Sequence, residues 1–168
     1  IFKNSAKVEK KAEMRYNYKN LCKFNWFKEI TYMDDTVIVI MLKDKETGFL
    51  DKELGCYKID KNDAFIYNTF AVEKEDGGYE VIMKLTCDRD VEDWEFEAIY
   101  DYYDTETLLP LVTSIKEEED CFNPTWSITF DFIDNTEEME SKISEILAAH
   151  AKEIGSVYEA IADKRDEY

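Results

Sequence analysis

Histidine is almost missing from this chain: His150 is the only one in 168 residues. A single imidazole excludes a Ser-His-Asp or Cys-His arrangement, a His-x-x-x-His metal pair and a three-histidine zinc site. Glycine is scarce as well, with five residues and no Gly-x-Gly-x-x-Gly or Walker-type loop among them, so nucleotide binding by those routes is excluded. The four cysteines, Cys22, Cys56, Cys87 and Cys121, are widely scattered and form no C-x-x-C pair. They read as buried thiols, neither a local zinc clasp nor a disulfide framework, and their unlike flanking residues argue against a repeat. There is no apolar run of membrane-spanning length and no signal-peptide pattern, so the expectation is a soluble, cytoplasmic protein without a membrane role. Positive charge is in deficit: 21 Lys and Arg stand against 39 Asp and Glu, a net charge of −18. That balance disfavours direct nucleic-acid binding and anionic membranes, and leaves cationic partners or divalent cations.

What the chain does have is enough apolar material for one core. Hydrophobic residues make up 45% and aromatics 14%, which argues against disorder despite the charge. The charge is unevenly placed. Residues 1–32 hold eight Lys or Arg against three Glu, a net of +5, and the remainder carries −23. Met33 stands just ahead of the first clear strand, so one expectation is that it is the initiator and that 1–32 is not part of the native protein. The other is a basic-aromatic arm (Tyr16, Lys19, Lys23, Trp26) that folds back on the acidic body or touches a nucleic acid or membrane.

From residue 33 on, strands are expected first. Thr36–Leu42 is continuous and β-branched and reads as a central strand buried on both faces. Asp44 to Gly48 follows as a solvated turn, its glycine misplaced for an EF-hand. Gly55–Ile59, Ala64–Glu73, the hairpin signal Glu75-Asp76-Gly77-Gly78 and Tyr79–Thr86 complete what is most simply an antiparallel meander. Pro110 demotes the first half of Leu108–Ile115 to a bend, and Thr125–Ile133 alternates as a strand with Trp126, Ile128, Phe130 and Phe132 on one face. Asn135 then caps a long helix near 136–163, with Glu138 at the capping-box position and one apolar stripe from Met139 to Ile161. His150 lies in that stripe and reads as a satisfied core histidine.

The most informative stretch is Asp88 to Asp104, where eight carboxylates and one arginine interleave with five aromatic rings. Alternation of Trp94, Phe96, Ala98, Tyr100 and Tyr102 suggests a strand. An Asp90 N-cap, acids in the first turn and a stripe of Val91, Trp94, Ala98 and Tyr102 favour a helix near 90–104, and helix is the assignment adopted. Its carboxylates admit two functions and one plain structural role. Glu95 or Glu97 beside a wall of Trp94 and tyrosines could hydrolyse a glycoside. Asp88, Asp90 and Asp93 could hold Mg²⁺ or Ca²⁺, although their spacing matches no known loop. The plainest reading is that the acids solvate an element whose rings are core.

Lys43-Asp44-Lys45-Glu46-Thr47-Gly48-Phe49, Arg89-Asp90-Val91-Glu92-Asp93-Trp94-Glu95 and Asn123-Pro124-Thr125-Trp126 together resemble a family of short acidic proteins of anaerobic Firmicute bacteria. The resemblance covers about residues 33–150, implies a start near Met33, and brings no assigned activity and no catalytic residue. The expectation is therefore a single α+β domain over 33–168: a mostly antiparallel sheet covered by two helices, with no cofactor. Its first functional reading is a non-enzymatic interaction module meeting a basic protein through Glu92, Glu95, Glu97, Asp101, Glu117, Glu118 and Glu119. The alternatives are a cation-dependent enzyme or sensor using 88–104, and an acidic decoy mimicking nucleic acid.

Overall fold

The computed structural model describes residues 36–168. The expectations placed on residues 1–35, including the basic-aromatic arm and Cys22, lie outside them. Among the described residues there are six strands: β1 Thr36–Lys43, β2 Leu50–Ile59, β3 Ile66–Glu73, β4 Tyr79–Thr86, β5 Ser114–Glu117 and β6 Thr125–Asp131. Two α-helices accompany them there, α1 Asp93–Tyr102 and α2 Thr136–Ile161. The strands form one sheet in the order β2-β1-β3-β4-β6-β5, and only the β1–β3 pair is parallel. This is the α+β architecture expected from the sequence.

The expected meander is not what forms. β1 and β2 make a hairpin, but the chain then crosses the end of β1, so that β3 pairs with β1 and not with β2. The crossing segment has Asn62 in the left-handed region at φ 66°, a conformation Asn tolerates, followed by a 3₁₀ turn over Asp63–Phe65. Phe65 is buried there and meets the His150 ring edge-on at 5.3 Å. The crossing segment thus anchors itself in the core through Phe65.

The two tight turns follow the sequence closely. Asp44 Oδ1 accepts hydrogen bonds from the Glu46 and Thr47 amides and the Thr47 hydroxyl, and these bonds pull its carboxyl below its ordinary range. Gly77 closes the β3–β4 hairpin at φ 86°, which a side chain would strain. At the sheet's β2 edge, the Glu140 carboxylate on α2 accepts from the Lys58 amide at 2.8 Å. A charged side chain covering an outward N–H blunts that edge against pairing with another chain.

One face of the sheet is the core face. The registered pairs Val81–Phe130, Met83–Ile128 and Leu85–Trp126 are buried, whereas the alternate pairs Ile82–Thr129 and Lys84–Ser127 are partly exposed. Ile40 and Ala71 extend the buried row. Val37 on β1 is 48% exposed, so the expectation of a first strand buried on both faces fails among the described residues. Over the core face lies α2, burying Met139, Ile143, Ile146, Leu147, His150, Ile154, Val157 and Ile161 at three- and four-residue steps. Each such aliphatic burial contributes about 1.5–3 kcal/mol before chain entropy is charged against it. The expected Asn135 cap is present, its Oδ1 accepting from the Glu138 amide at 3.0 Å.

Candidate functional site

The acidic-aromatic stretch is helical, but its start and inward face differ from those expected. The N-cap is Glu92 and not Asp90, and Glu95 reaches back to accept from the Glu92 N–H at 2.8 Å. Glu95, assigned above to an outer acidic surface, is instead 8% exposed. Arg89 explains the inversion: its guanidinium donates to both Glu95 oxygens, Nη1 to Oε2 at 2.9 Å and Nη2 to Oε1 at 2.6 Å. This two-pronged pair holds the Glu95 carboxyl below its ordinary range and Arg89 above its own. The face that α1 buries is therefore Glu95, Ala98 and Ile99, continued by Tyr103, while Tyr102 is 39% exposed.

Arg89 also lies over the Tyr158 ring at 4.4 Å, and the Tyr158 hydroxyl donates to Asp88 at 3.0 Å. Burial drives the Tyr158 hydroxyl upward, and Cys87 beside it is pushed up to about 11, again by burial. These residues join the end of β4 to both helices. They make a structural joint: a thiol so reluctant to ionise is a poor nucleophile, and three hydrogen bonds, two of them from a guanidinium, commit Glu95 to its ionised, acceptor-only form. The glycosidase reading thereby loses Glu95.

Deeper in the molecule, His150 is fully buried between aromatic rings. Its Nε2 is 2.9 Å from the Thr86 carbonyl, which can only accept, so Nε2 carries the proton. Nδ1 then accepts from the Tyr103 hydroxyl at 2.7 Å. Tyr103 stacks on Trp126 with centroids 4.0 Å apart. Burial lowers His150 to about 4, outweighing the Thr86 carbonyl and Asp88, so the ring is neutral at physiological pH. It is the satisfied core histidine that its position in the helical stripe implied.

The remaining acids are dispersed. Asp88 is bound to Tyr158, and Asp90 and Asp93 are exposed. Among the described residues no group of three His, Cys, Asp or Glu could hold a metal ion, so those three are not gathered into a ligand set. Glu118 pairs with Lys84 at 2.6 Å, while Glu117, at the end of β5, and Glu119, on the β5–β6 loop, are exposed. That loop is tied to α1 through Tyr100, whose hydroxyl lies 3.1 Å from Glu118 O and accepts from the Thr125 amide at 2.9 Å.

Asp93, Glu97 and Asp101 form an exposed row at four-residue steps along α1. No Lys or Arg of the described residues forms an ion pair with any of the three. Beside this row, Glu92, Asp93, Trp94, Arg165 and Tyr168 line an open depression. Glu92 Oε2 accepts from the Trp94 indole N–H at 3.0 Å and pairs with Arg165 at 3.0 Å. Sequence periodicity could not show this depression, because two of its five lining residues, Arg165 and Tyr168, come from the segment after α2.

No helix among the described residues is long and apolar enough to cross a membrane. Neither a curated protein nor a solved structure matches the chain. A family model matches residues 33–168, a span that takes in all six strands, both helices and the tail after α2, and on that match the chain belongs to a family of unknown function, DUF6762.

Proposed function

We propose that this chain is a non-enzymatic protein-interaction module, and that it docks a basic partner protein through the acidic outer side of α1. The observation that supports this most is the row Asp93, Glu97 and Asp101. Like charges four residues apart on a helix destabilise it by about 0.2–0.5 kcal/mol per pair, and no Lys or Arg of the described residues is ion-paired with them. A row that costs stability and carries no ion pair suits an incoming cation. Glu92, Glu97 and Asp101 are exposed and belong to this proposed surface; Glu95 is withdrawn from it by Arg89, and Glu118 is already paired with Lys84.

A field of this sign accelerates encounter with a basic surface and weakens with salt. The test is binding of an arginine-rich peptide to the full chain, measured by fluorescence anisotropy across a salt series. Neutralising the row (D93N, E97Q, D101N together) should weaken binding about tenfold and flatten the salt slope. Neutralising three exposed acids elsewhere (Glu75, Glu137 and Glu145) should change it far less. Equal losses from the two triple variants would reduce the effect to net charge and refute the docking surface.

A further inference from the structure

The segment after α2 lies along the same acidic row. Lys164 sits over the Tyr102 ring at 5.6 Å and pairs with Glu167, Arg165 pairs with Glu92, and the Tyr168 hydroxyl donates to Asp101 at 2.7 Å. Two of the acids assigned to the docking surface are thus engaged by the chain's own last residues, one of them by a guanidinium. The Arg165–Glu92 pair is open to water, with the two side chains 70% and 59% exposed. Exposed ion pairs of this kind contribute little and exchange readily.

We propose that the depression lined by Glu92, Asp93, Trp94, Arg165 and Tyr168 is a binding site for an arginine side chain of the basic partner, and that Arg165 is the internal stand-in which the partner displaces. This rests on the acidic-surface reading and names its anchor. Four observations carry it. Glu92 is held by the Trp94 indole, so its carboxylate is oriented before any ligand arrives, which lowers the ordering cost of binding. Trp94 and Tyr168 supply aromatic surface at the same place, and a flat guanidinium stacks on such rings while donating sideways to a carboxylate. The depression has about 570 Å³ of open space, room for a second side chain beside or in place of Arg165. Arg165 itself shows that a guanidinium is accepted there. The positive end of the α1 dipole opposes a cation at this position by about half a charge, and the two carboxylates, Glu92 and Asp93, outweigh it.

Displacement makes a prediction that net charge alone does not. R165Q and K152Q each remove one positive charge from an exposed position. Acetylated tetra-arginine amide, titrated into the full chain, should bind R165Q at least about fivefold more tightly than wild type, and K152Q less than about twofold more tightly. R165Q should also prefer tetra-arginine to tetra-lysine by about threefold or more, and W94L and E92Q should each remove that preference while E145Q keeps it. Equal tightening by R165Q and K152Q, or no preference between the peptides, would overturn the arginine site while leaving a salt-sensitive acidic surface standing. No binding of either peptide by any variant at low salt would overturn both.

Discussion

Lowering the pH from 7.5 to 4.5 should remove roughly 2–3 kcal/mol of stability through His150 alone. Above pH 6.5 the imidazole is neutral in both folded and unfolded chains, and the contribution is fully present. As the pH falls below 6.5 the unfolded chain takes up a proton that the folded one refuses, because burial holds the folded value at about 4. Stability then declines by up to about 1.4 kcal/mol per pH unit, and the loss levels off once the folded ring also protonates near pH 4. Burial is the main cause of the refusal, and a second ring proton would also force the Tyr103 hydroxyl, which now donates to Nδ1, to turn and accept instead. His150 is the only histidine, which makes the experiment clean. Urea unfolding of wild type and His150→Gln from pH 7.5 to 4.5 gives a difference in which the shared carboxylate titrations cancel. Gln should cost about 2 kcal/mol at pH 7.5, through hydrogen bonds it cannot fully replace. The gap should then close, and reverse, as the pH falls towards 4.5. A gap that stays constant over that range, or an imidazole proton resonance titrating near 6.5 in the folded protein, would refute the reasoning.

Arg89→Met strands the Glu95 carboxylate in a mostly buried place and should cost about 2 kcal/mol in urea unfolding, reduced from the fully buried case because the arginine is itself half exposed. Gly155 lies within α2 with open space where a Cβ would stand, so Gly155→Ala should stabilise by about 1 kcal/mol, read as a higher Tm. Asn135→Ala removes the α2 cap and should cost about 1 kcal/mol by the same measurement. Glu97→Gln relieves both like-charge contacts on α1 and should stabilise the fold by roughly 0.5 kcal/mol while weakening the arginine-rich peptide.

The sequence made the long helix legible because the same periodicity, cap and composition all point one way from Asn135 to Ile161. The Asp88–Asp104 stretch was harder. Its aromatics alternate like a strand, yet the ring of Tyr102 is exposed and the carboxyl of Glu95 is inside. A pairing between Arg89 and Glu95, six residues apart and across a helix start, overrides hydrophobic periodicity and carries no period of its own. The crossing from β2 to β3 was hidden for a related reason. Local turn signals do not reveal that Phe65, in the crossing segment, seats against His150, 85 positions away. The depression near Trp94 belongs to the same class, since Arg165 and Tyr168 meet α1 only after α2 has brought the chain back.

The most direct test of the docking surface is a titration of uniformly ¹⁵N-labelled full chain with the arginine-rich peptide, followed by amide shifts. The account predicts perturbations concentrated at Glu92–Tyr102 and at 163–168, with the amides of β1 and β2 unmoved. Shifts centred on the exposed side of the sheet, or spread evenly over every acidic segment, would contradict it.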